Sequence, residues 1–278
     1  MLRHRLKSGV LLGGGLLAAI FFLPAWGVLP ILLVCVFLAL HEFYALLDAR
    51  ELPHFKVVGI ICGVTLVAAT WLAHHFECPL RAEVESILLF CVLAAVLLRQ
   101  LMHTSTNRPW DTIAGTLLGV LYVAFLFNFI VKLLVGWGDE TGRMLVLFLV
   151  VVVKCTDIGA YFTGCAIGRH KLLPRVSPAK TWEGVIGGVV VGTLAGWAFW
   201  AFAMPADIDF LASLPAVLGV GVLLSVAGVL GDLIESLLKR AAGVKDSGSF
   251  IQGMGGLLDV LDSLLFAAPV LYIALRLL

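Results

Sequence analysis

Long apolar runs alternate with short polar segments along nearly the whole chain. Runs of about 20 residues match the hydrocarbon core of a bilayer, so each reads as a membrane-spanning helix. Nine are expected, at about 9–24, 28–47, 57–74, 86–99, 112–135, 144–166, 184–204, 212–230 and 258–277. The shorter ones fray into polar ends. The pattern predicts an all-α, polytopic integral membrane protein. Residues 1–278 form a single membrane domain, with N-terminal helices over 1–143 and, over 144–278, the helices that carry the polar site. No linker, low-complexity tract or internal repeat interrupts the pattern. Three polar segments stand out by length: 99–111, 167–183 and 231–257.

Composition agrees with this reading. Hydrophobic residues make up 61% of the chain and charged residues 13%, where a soluble domain holds about one quarter charged. Mean hydropathy is +1.07. The opening MLRHRLKSGVLLGGGLLAAIFFLP has the basic start and apolar middle of a secretory signal. No A-x-A-like cleavage site follows and a second apolar run begins at once, so a retained first span is expected. Of the six cysteines, all but Cys78 sit in apolar runs, where Cys behaves as a small hydrophobe. With no CxxC and no paired spacing, neither a disulfide framework nor a zinc site is expected.

Charge changes the picture by its distribution. With the N-terminus in the cytoplasm and the spans alternating, the cytoplasmic side holds Arg3, Arg5, Lys7, Arg50, Lys56, Arg99, Arg108, Arg169, Lys171, Arg175, Lys180, Lys239, Arg240 and Lys245. The far side holds only Arg81, Arg143 and Arg276, while Lys132 and Lys154 fall inside spans. Such an excess of Lys and Arg marks the cytoplasmic loops. The N-terminus is therefore expected inside, the C-terminus outside, and segments 167–183 and 231–257 on the cytoplasmic face of the inner membrane. No basic stripe stands apart from this pattern, so nucleic acid is not an expected partner; membrane lipids are.

Three segments could carry chemistry. In 228–263, Asp232, Glu235, Ser236, Lys239 and Arg240 follow i, i+3, i+4, i+7, i+8 spacing and share one helical face. Lys245, Asp246, a glycine turn (Gly253, Gly255, Gly256), Asp259 and Asp262 follow. Asp259 and Asp262, three apart, could close a divalent site with Asp232, since Mg²⁺ favours one or two carboxylates plus substrate phosphates. The plainer reading places Asp259 at a helix dipole and Lys239 and Arg240 at lipid headgroups. In 157–164, Asp157 is an acid inside a span and by default suggests function; the plainer reading is an ion pair with Lys154, with Gly159 and Gly164 allowing close packing. In 168–184, Ser177, Lys180 and Thr181 precede a span. Ser177 and Thr181 could simply cap that helix, but a helix N-terminus beside a lysine also attracts phosphate. The pair His41-Glu42 ends a span and reads as a polar contact between helices. No GxSxG, Walker A or HExxH pattern occurs.

Together these segments resemble the phosphatidate cytidylyltransferase family, the CDP-diacylglycerol synthases. The family's pattern is Ser, two residues, Lys-Arg, four residues, Lys-Asp, then Gly-His-Gly-Gly and Asp-Arg-x-Asp. Ser236, Lys239, Arg240, Lys245, Asp246, Gly253, Gly255, Gly256, Asp259 and Asp262 fit it at the right spacing. Met254 stands where the family has His, Val260 where it has Arg, and Ala179 where Lys is common. The resemblance implies transfer of a cytidylyl group from CTP to phosphatidic acid, with loss of pyrophosphate. It implies Mg²⁺ on Asp232, Asp259 and Asp262, and neutralisation of phosphates by Lys239, Arg240 and Lys245, with Asp246 orienting Lys245 or approaching the metal. It further implies that Ser177, Lys180 and Thr181, with Ser236, Gly255 and Gly256, hold substrate, and that Asp157 leads the lipid headgroup in. It leaves room for a second, monovalent ion and for a homodimer. A CTP-dependent enzyme acting on another lipid, such as a polyprenol kinase or an ether-lipid cytidylyltransferase, and a transporter using Lys154 and Asp157, are the alternative readings.

Overall fold

The computed structural model describes residues 14–15, 18–103, 108–204, 213–248 and 255–277. In chain order the elements are α1 (Ala25–Asp48), α2 (Lys56–His75), α3 (Val84–Met102), α4 (Pro109–Gly119), a π-helical segment (Val120–Phe125), α5 (Leu126–Val135), α6 (Asp139–Ile167), β1 (Lys171–Leu173), β2 (Ser177–Thr181), α7 (Trp182–Ala203), α8 (Leu214–Ala242) and α9 (Leu258–Leu277). Pro109–Val135 runs on as one helical rod, so eight helices among the described residues are long and apolar enough to cross a membrane. They coincide with eight of the expected runs; the first, 9–24, lies partly outside the described residues, and Gly253 and Met254 lie outside them. Helices are what such runs must form, because hydrocarbon offers backbone N–H and C=O groups no partner except each other.

By contact the chain divides into two compact units, residues up to Gly136 with Ala241–Val260, and Trp137–Arg240 with Leu261–Leu278. In the first, the Tyr44 ring lies fully buried where Gly59 and Gly119 leave room for it. Its hydroxyl donates to the Thr116 carbonyl at 2.8 Å, while Thr116 Oγ1 accepts from Phe55 N at 2.9 Å. Two ionisable groups in the apolar layer answer each other: Lys132 pairs with Glu85, which also accepts from Asn128 Nδ2 at 3.1 Å. The end of α1 reaches the polar segment that joins α8 to α9. Arg50 Nε donates to the Ala241 carbonyl at 2.6 Å, and Glu42 accepts from the Leu257 and Leu258 amides at 2.9 and 2.8 Å. The interhelical polar contact expected of His41-Glu42 is thus made by Glu42.

In the second unit, α6 and α7 pack backbone to backbone. Gly184, Gly188, Gly192 and Gly196 recur every four residues and so line one face of α7. A Cβ at Gly188 would lie 2.7 Å from the Thr156 carbonyl oxygen and 2.9 Å from Ala160 Cβ; one at Gly192 would lie 3.0 Å from the Val152 carbonyl; one at Gly196 would lie 2.8 Å from a Val152 methyl. Between helices in lipid there is little hydrophobic force, and small residues bring them together by close packing. α8 joins the pair through a buried hydroxyl bond, Thr156 Oγ1 to Ser225 Oγ at 2.9 Å.

The segment 167–183 departs from an all-helical chain. It forms an antiparallel hairpin in which Lys171 lies opposite Thr181 and Leu173 opposite Ser177. The cause is local. Pro174 fits the second position of the turn closed by Val176 N donating to the Leu173 carbonyl at 3.1 Å, and neither flank is long enough to form a helix. Glu183 seals the base, accepting from the Arg169 and His170 amides at 3.1 and 3.2 Å.

The α6–α7 contact leads to a prediction. Gly188→Val should destabilise the purified protein by about 1–3 kcal/mol, the usual cost of overpacking, read as a lower denaturation midpoint in detergent. Gly219→Val, placed where a Cβ meets nothing within 4 Å, should leave the midpoint unchanged. Equal midpoints would dismiss the glycine face as the organising contact.

Candidate functional site

The polar stretch of α8 presents Asp232, Glu235, Ser236 and Lys239 on neighbouring turns, as their spacing requires. α9 brings Asp262 against them at a point where α8 has no side chain: a Cβ at Gly231 would sit 2.5 Å from the Asp262 carbonyl and 3.1 Å from Ser263 Cα. One carboxylate oxygen from each of Asp232, Glu235 and Asp262 then lies within 4.8 Å of the others. Glu235 is fully buried and Asp262 nearly so, while Asp232 is part-exposed.

Three carboxylates this close repel one another. At an effective dielectric constant near 20, two unit charges about 5 Å apart cost about 3 kcal/mol. The protein opposes this with donors and cations. Lys180 Nζ meets Asp232 Oδ2 at 2.7 Å, and Lys239 pairs with Glu235. Ser236 Oγ donates to Asp232 Oδ1 at 3.3 Å. Asp262 Oδ1 accepts from Ser263 N at 2.5 Å and Ser263 Oγ at 2.9 Å. Lys180 and Lys239 thus bring ammonium groups directly against Asp232 and Glu235. An all-oxygen, acid-rich set of this kind suits a hard divalent cation, so the donor chemistry fits a metal.

Asp232 also belongs to a second feature, a cavity of about 450 Å³ lined by Asp157, Tyr161, Lys180, Thr181, Gly184 and Asp232 among others. Its volume falls within the range of small-molecule sites. Four elements contribute: α6 gives Asp157 and Tyr161, β2 gives Lys180 and Thr181, α7 gives Gly184 and α8 gives Asp232. Asp157 Oδ2 lies 3.5 Å from Lys154 Nζ, so the ion pair expected from sequence and the cavity position hold at once. Thr181 Oγ1 accepts from Gly184 N at 3.1 Å and caps α7, while still lining the cavity. Ser177, at the far end of β2 opposite Leu173, is not among the lining residues.

Of the remaining candidates, Lys245, Asp246, Gly255, Gly256 and Asp259 lie in the first unit, and Arg240 ends the second unit's part of α8. Lys245 and Asp246 are exposed. Gly255 holds φ +96, a conformation that glycine alone adopts freely. The Gly256 amide donates to Asp259 Oδ2 at 2.6 Å, and the same oxygen accepts from Ser247 N at 3.1 Å and Ser247 Oγ at 2.8 Å. Asp259 thus binds the turn before α9, and Glu235 is a carboxylate that stands with Asp232 and Asp262. Its signal was present in the i, i+3 spacing from Asp232. Gly231 carried no comparable signal, and Glu42 read only as a polar contact between helices. Val260 N closes the turn onto the Leu257 carbonyl at 3.0 Å.

Residues 3–278 match the cytidylyltransferase family. The chain is 35% identical over 269 residues to the phosphatidate cytidylyltransferase of Bacillus subtilis (strain 168), covering 95% of this chain and 96% of the relative. It is 35% identical over 262 residues to the phosphatidate cytidylyltransferase of Staphylococcus aureus (strain COL), covering 94% and 96%. It is also 33% identical over 258 residues to the uncharacterized protein YnbB of Escherichia coli (strain K12), covering 91% and 80%.

The acid cluster makes a binding prediction that does not depend on turnover. Titrated with Mn²⁺ and followed by electron paramagnetic resonance, the purified protein should bind the ion. Asp232→Asn, Glu235→Gln and Asp262→Asn should each weaken binding about tenfold or more, as loss of a carboxylate from such a set implies. Undiminished binding in all three would remove the cluster as a metal site.

Proposed function

This chain belongs to the cytidylyltransferase family, and on that premise we infer that it is a phosphatidate cytidylyltransferase, converting CTP and phosphatidic acid to CDP-diacylglycerol and pyrophosphate. The observation that carries the reading is the double membership of Asp232. One carboxylate both completes the acid cluster with Glu235 and Asp262 and lines the cavity beside Lys180. Cation-holding acids and a phosphate-attracting lysine therefore meet at one edge of a cavity set in membrane helices.

The reaction needs no protein nucleophile. A phosphate oxygen of phosphatidic acid attacks the α-phosphorus of CTP. A new P–O bond forms, the bond from that phosphorus to the bridging oxygen of the β-phosphate breaks, and pyrophosphate leaves with the electron pair. Rate comes from holding the two phosphates in line and offsetting the negative charge on them. Asp232, Glu235 and Asp262 would hold Mg²⁺, which when bound supplies positive charge to the phosphate oxygens. Lys180 stands at the cavity wall and would exchange its contact with Asp232 for a substrate phosphate. Lys239, kept near the cluster by Glu235, and Arg240 would offset charge on the nucleotide side, with Lys245 beyond them. Asp157, paired with Lys154, keeps a polar strip on α6 along which an anionic headgroup, with its chains in lipid, would enter. Thr181 and Ser236 hold α7 and Asp232 in place.

Purified protein supplied with labelled CTP, phosphatidic acid and Mg²⁺ in detergent should yield a lipid-soluble cytidine product and release pyrophosphate, with Met254 and Val260 as they stand. Asp232→Asn should lower turnover about a hundredfold or more, the scale lost with a preorganised electrostatic group. No product from the unaltered chain would overturn the assignment.

The charge asymmetry of the loops supports a site on the cytoplasmic face, where CTP is. In a cysteine-free background, an Arg175→Cys change on the exposed hairpin turn should resist a membrane-impermeant thiol reagent applied outside intact cells and react after lysis. Efficient labelling from outside would reverse the orientation.

A further inference from the structure

We propose that Glu42, on α1, is a positioning residue for this reaction: it fixes the first turn of α9 and thereby the place of Asp262 on the same helix. The proposal rests on reading Asp262 as part of the cation-holding cluster.

Glu42 is only 7% exposed, and glutamate is rarely so buried without strong partners. Here the partners are donors of the polar turn. Oε1 accepts from Leu257 N at 2.9 Å and Oε2 from Leu258 N at 2.8 Å; Ser247 Oγ, whose hydrogen goes to Asp259 Oδ2, lies 3.4 Å from Oε2. The seat is shaped for a carboxylate. A Cβ at Gly248 would lie 3.0 Å from Oε1, and one at Gly256 would collide with Oε2 and with Ser247 Oγ. The first amides of a helix have no intrahelical acceptor and form the positive end of its dipole. A buried carboxylate there makes charge-assisted bonds about twice as strong as neutral ones.

Helix caps ordinarily come from the residues just before the helix. α9 receives its cap from a residue 215 positions away in sequence, while the nearby acid, Asp259, is occupied with Ser247 and Gly256. The start of α9 is therefore set by α1 rather than by its own preceding turn. From Leu258 the helix runs without a break to Asp262, about one turn on. Sliding α9 by one residue's rise, about 1.5 Å, and turning it by about 100° would take the Asp262 carboxylate away from Asp232 and Glu235. Glu42 touches neither substrate nor cation in this scheme; it acts through Asp262.

The test uses the full-length protein in detergent and two variants, Glu42→Gln and Glu42→Ala, with three measurements. Amide hydrogen exchange over 255–262 reports the cap. Mn²⁺ titration by electron paramagnetic resonance reports the cluster without turnover. The Mg²⁺ dependence of turnover reports the reaction. Glu42→Gln keeps the size of the side chain and is the variant that decides the matter if Glu42→Ala does not accumulate. The expected result is faster exchange at Leu257 and Leu258 and Mn²⁺ binding weakened about tenfold, the usual effect of losing a group that orients a metal ligand. Turnover should fall and recover in part at high Mg²⁺. A folded Glu42→Gln protein with unchanged Mn²⁺ affinity and unchanged Mg²⁺ dependence would reduce Glu42 to a stability cap and overturn the proposal, whatever the exchange shows. If the unaltered chain binds Mn²⁺ but makes no lipid-linked cytidine, the enzymatic reading fails separately, and the Mn²⁺ and exchange results still decide the role of Glu42.

Discussion

The site-bearing unit depends on the approach of α6 to α7. Four glycines at a four-residue repeat remove every side chain from one face of α7, so that its backbone rests on Thr156, Ala160 and Val152 of α6. Two consequences follow. The polar residues of α6 and those of the hairpin that leads into α7 are drawn to one place, so that Asp157 and Lys180 line the same cavity. The hairpin is also held close: Thr181 Oγ1 would lie 3.0 Å from a Cβ at Gly184 and 3.3 Å from one at Gly164. Side chains on that face would part the helices by several ångströms and open the cavity wall to lipid. The same device recurs at Gly231, where the absent side chain lets Asp262 stand beside Asp232 and Glu235.

Close packing by itself would produce an apolar bundle. The site exists because a few charges are kept in the bundle and each is answered. Lys132 has Glu85, Asp157 has Lys154, Asp232 has Lys180 and Glu235 has Lys239. Ionisable groups in an apolar layer survive by such pairing. The acid cluster differs in that three carboxylates share a small volume, and their mutual repulsion favours bound positive charge. A divalent cation would supply it, and two substrates rich in phosphate would then draw on the same lysines. Arrangement of opposite charge before substrate arrives is the main resource of phosphoryl-transfer catalysis.

Polar backbone ends matter as much as side-chain charge. The turn between α8 and α9 is bound from within by Asp259 and from α1 by Glu42 and Arg50, which hold the start of α9 and the last carbonyls of α8. In the glycine turn, the Gly256 amide, like those of Leu257 and Leu258 after it, is directed at the protein's own carboxylates. The proposed reaction assigns phosphate contacts to lysine and arginine side chains and to the cation.

The amino-acid sequence by itself determined the membrane character, the helices and the main chemistry. A bilayer admits few backbone solutions, so a run of about 20 apolar residues is nearly a statement of structure. An acid such as Asp157 or Asp262 within such a run is conspicuous because it is costly there. Asp232, Lys180 and Thr181 were likewise legible from spacing and from their place before a span. The tertiary structure decided how the acids divide their work. Asp259 and Asp262 are three residues apart, about 60° in direction around a helix. That angle sends one to Ser247 and the other to the cluster, and no spacing rule states which neighbour lies in which direction. Glu235 shared a helical face with Asp232 by spacing, and Asp262 joined them only through the packing of α9 against α8 at Gly231. Segment 167–183 was too short and too rich in proline to show a period, so its hairpin appeared only once both ends were held. Glu42 acts across more than two hundred residues of sequence, and contacts that distant are settled by packing alone.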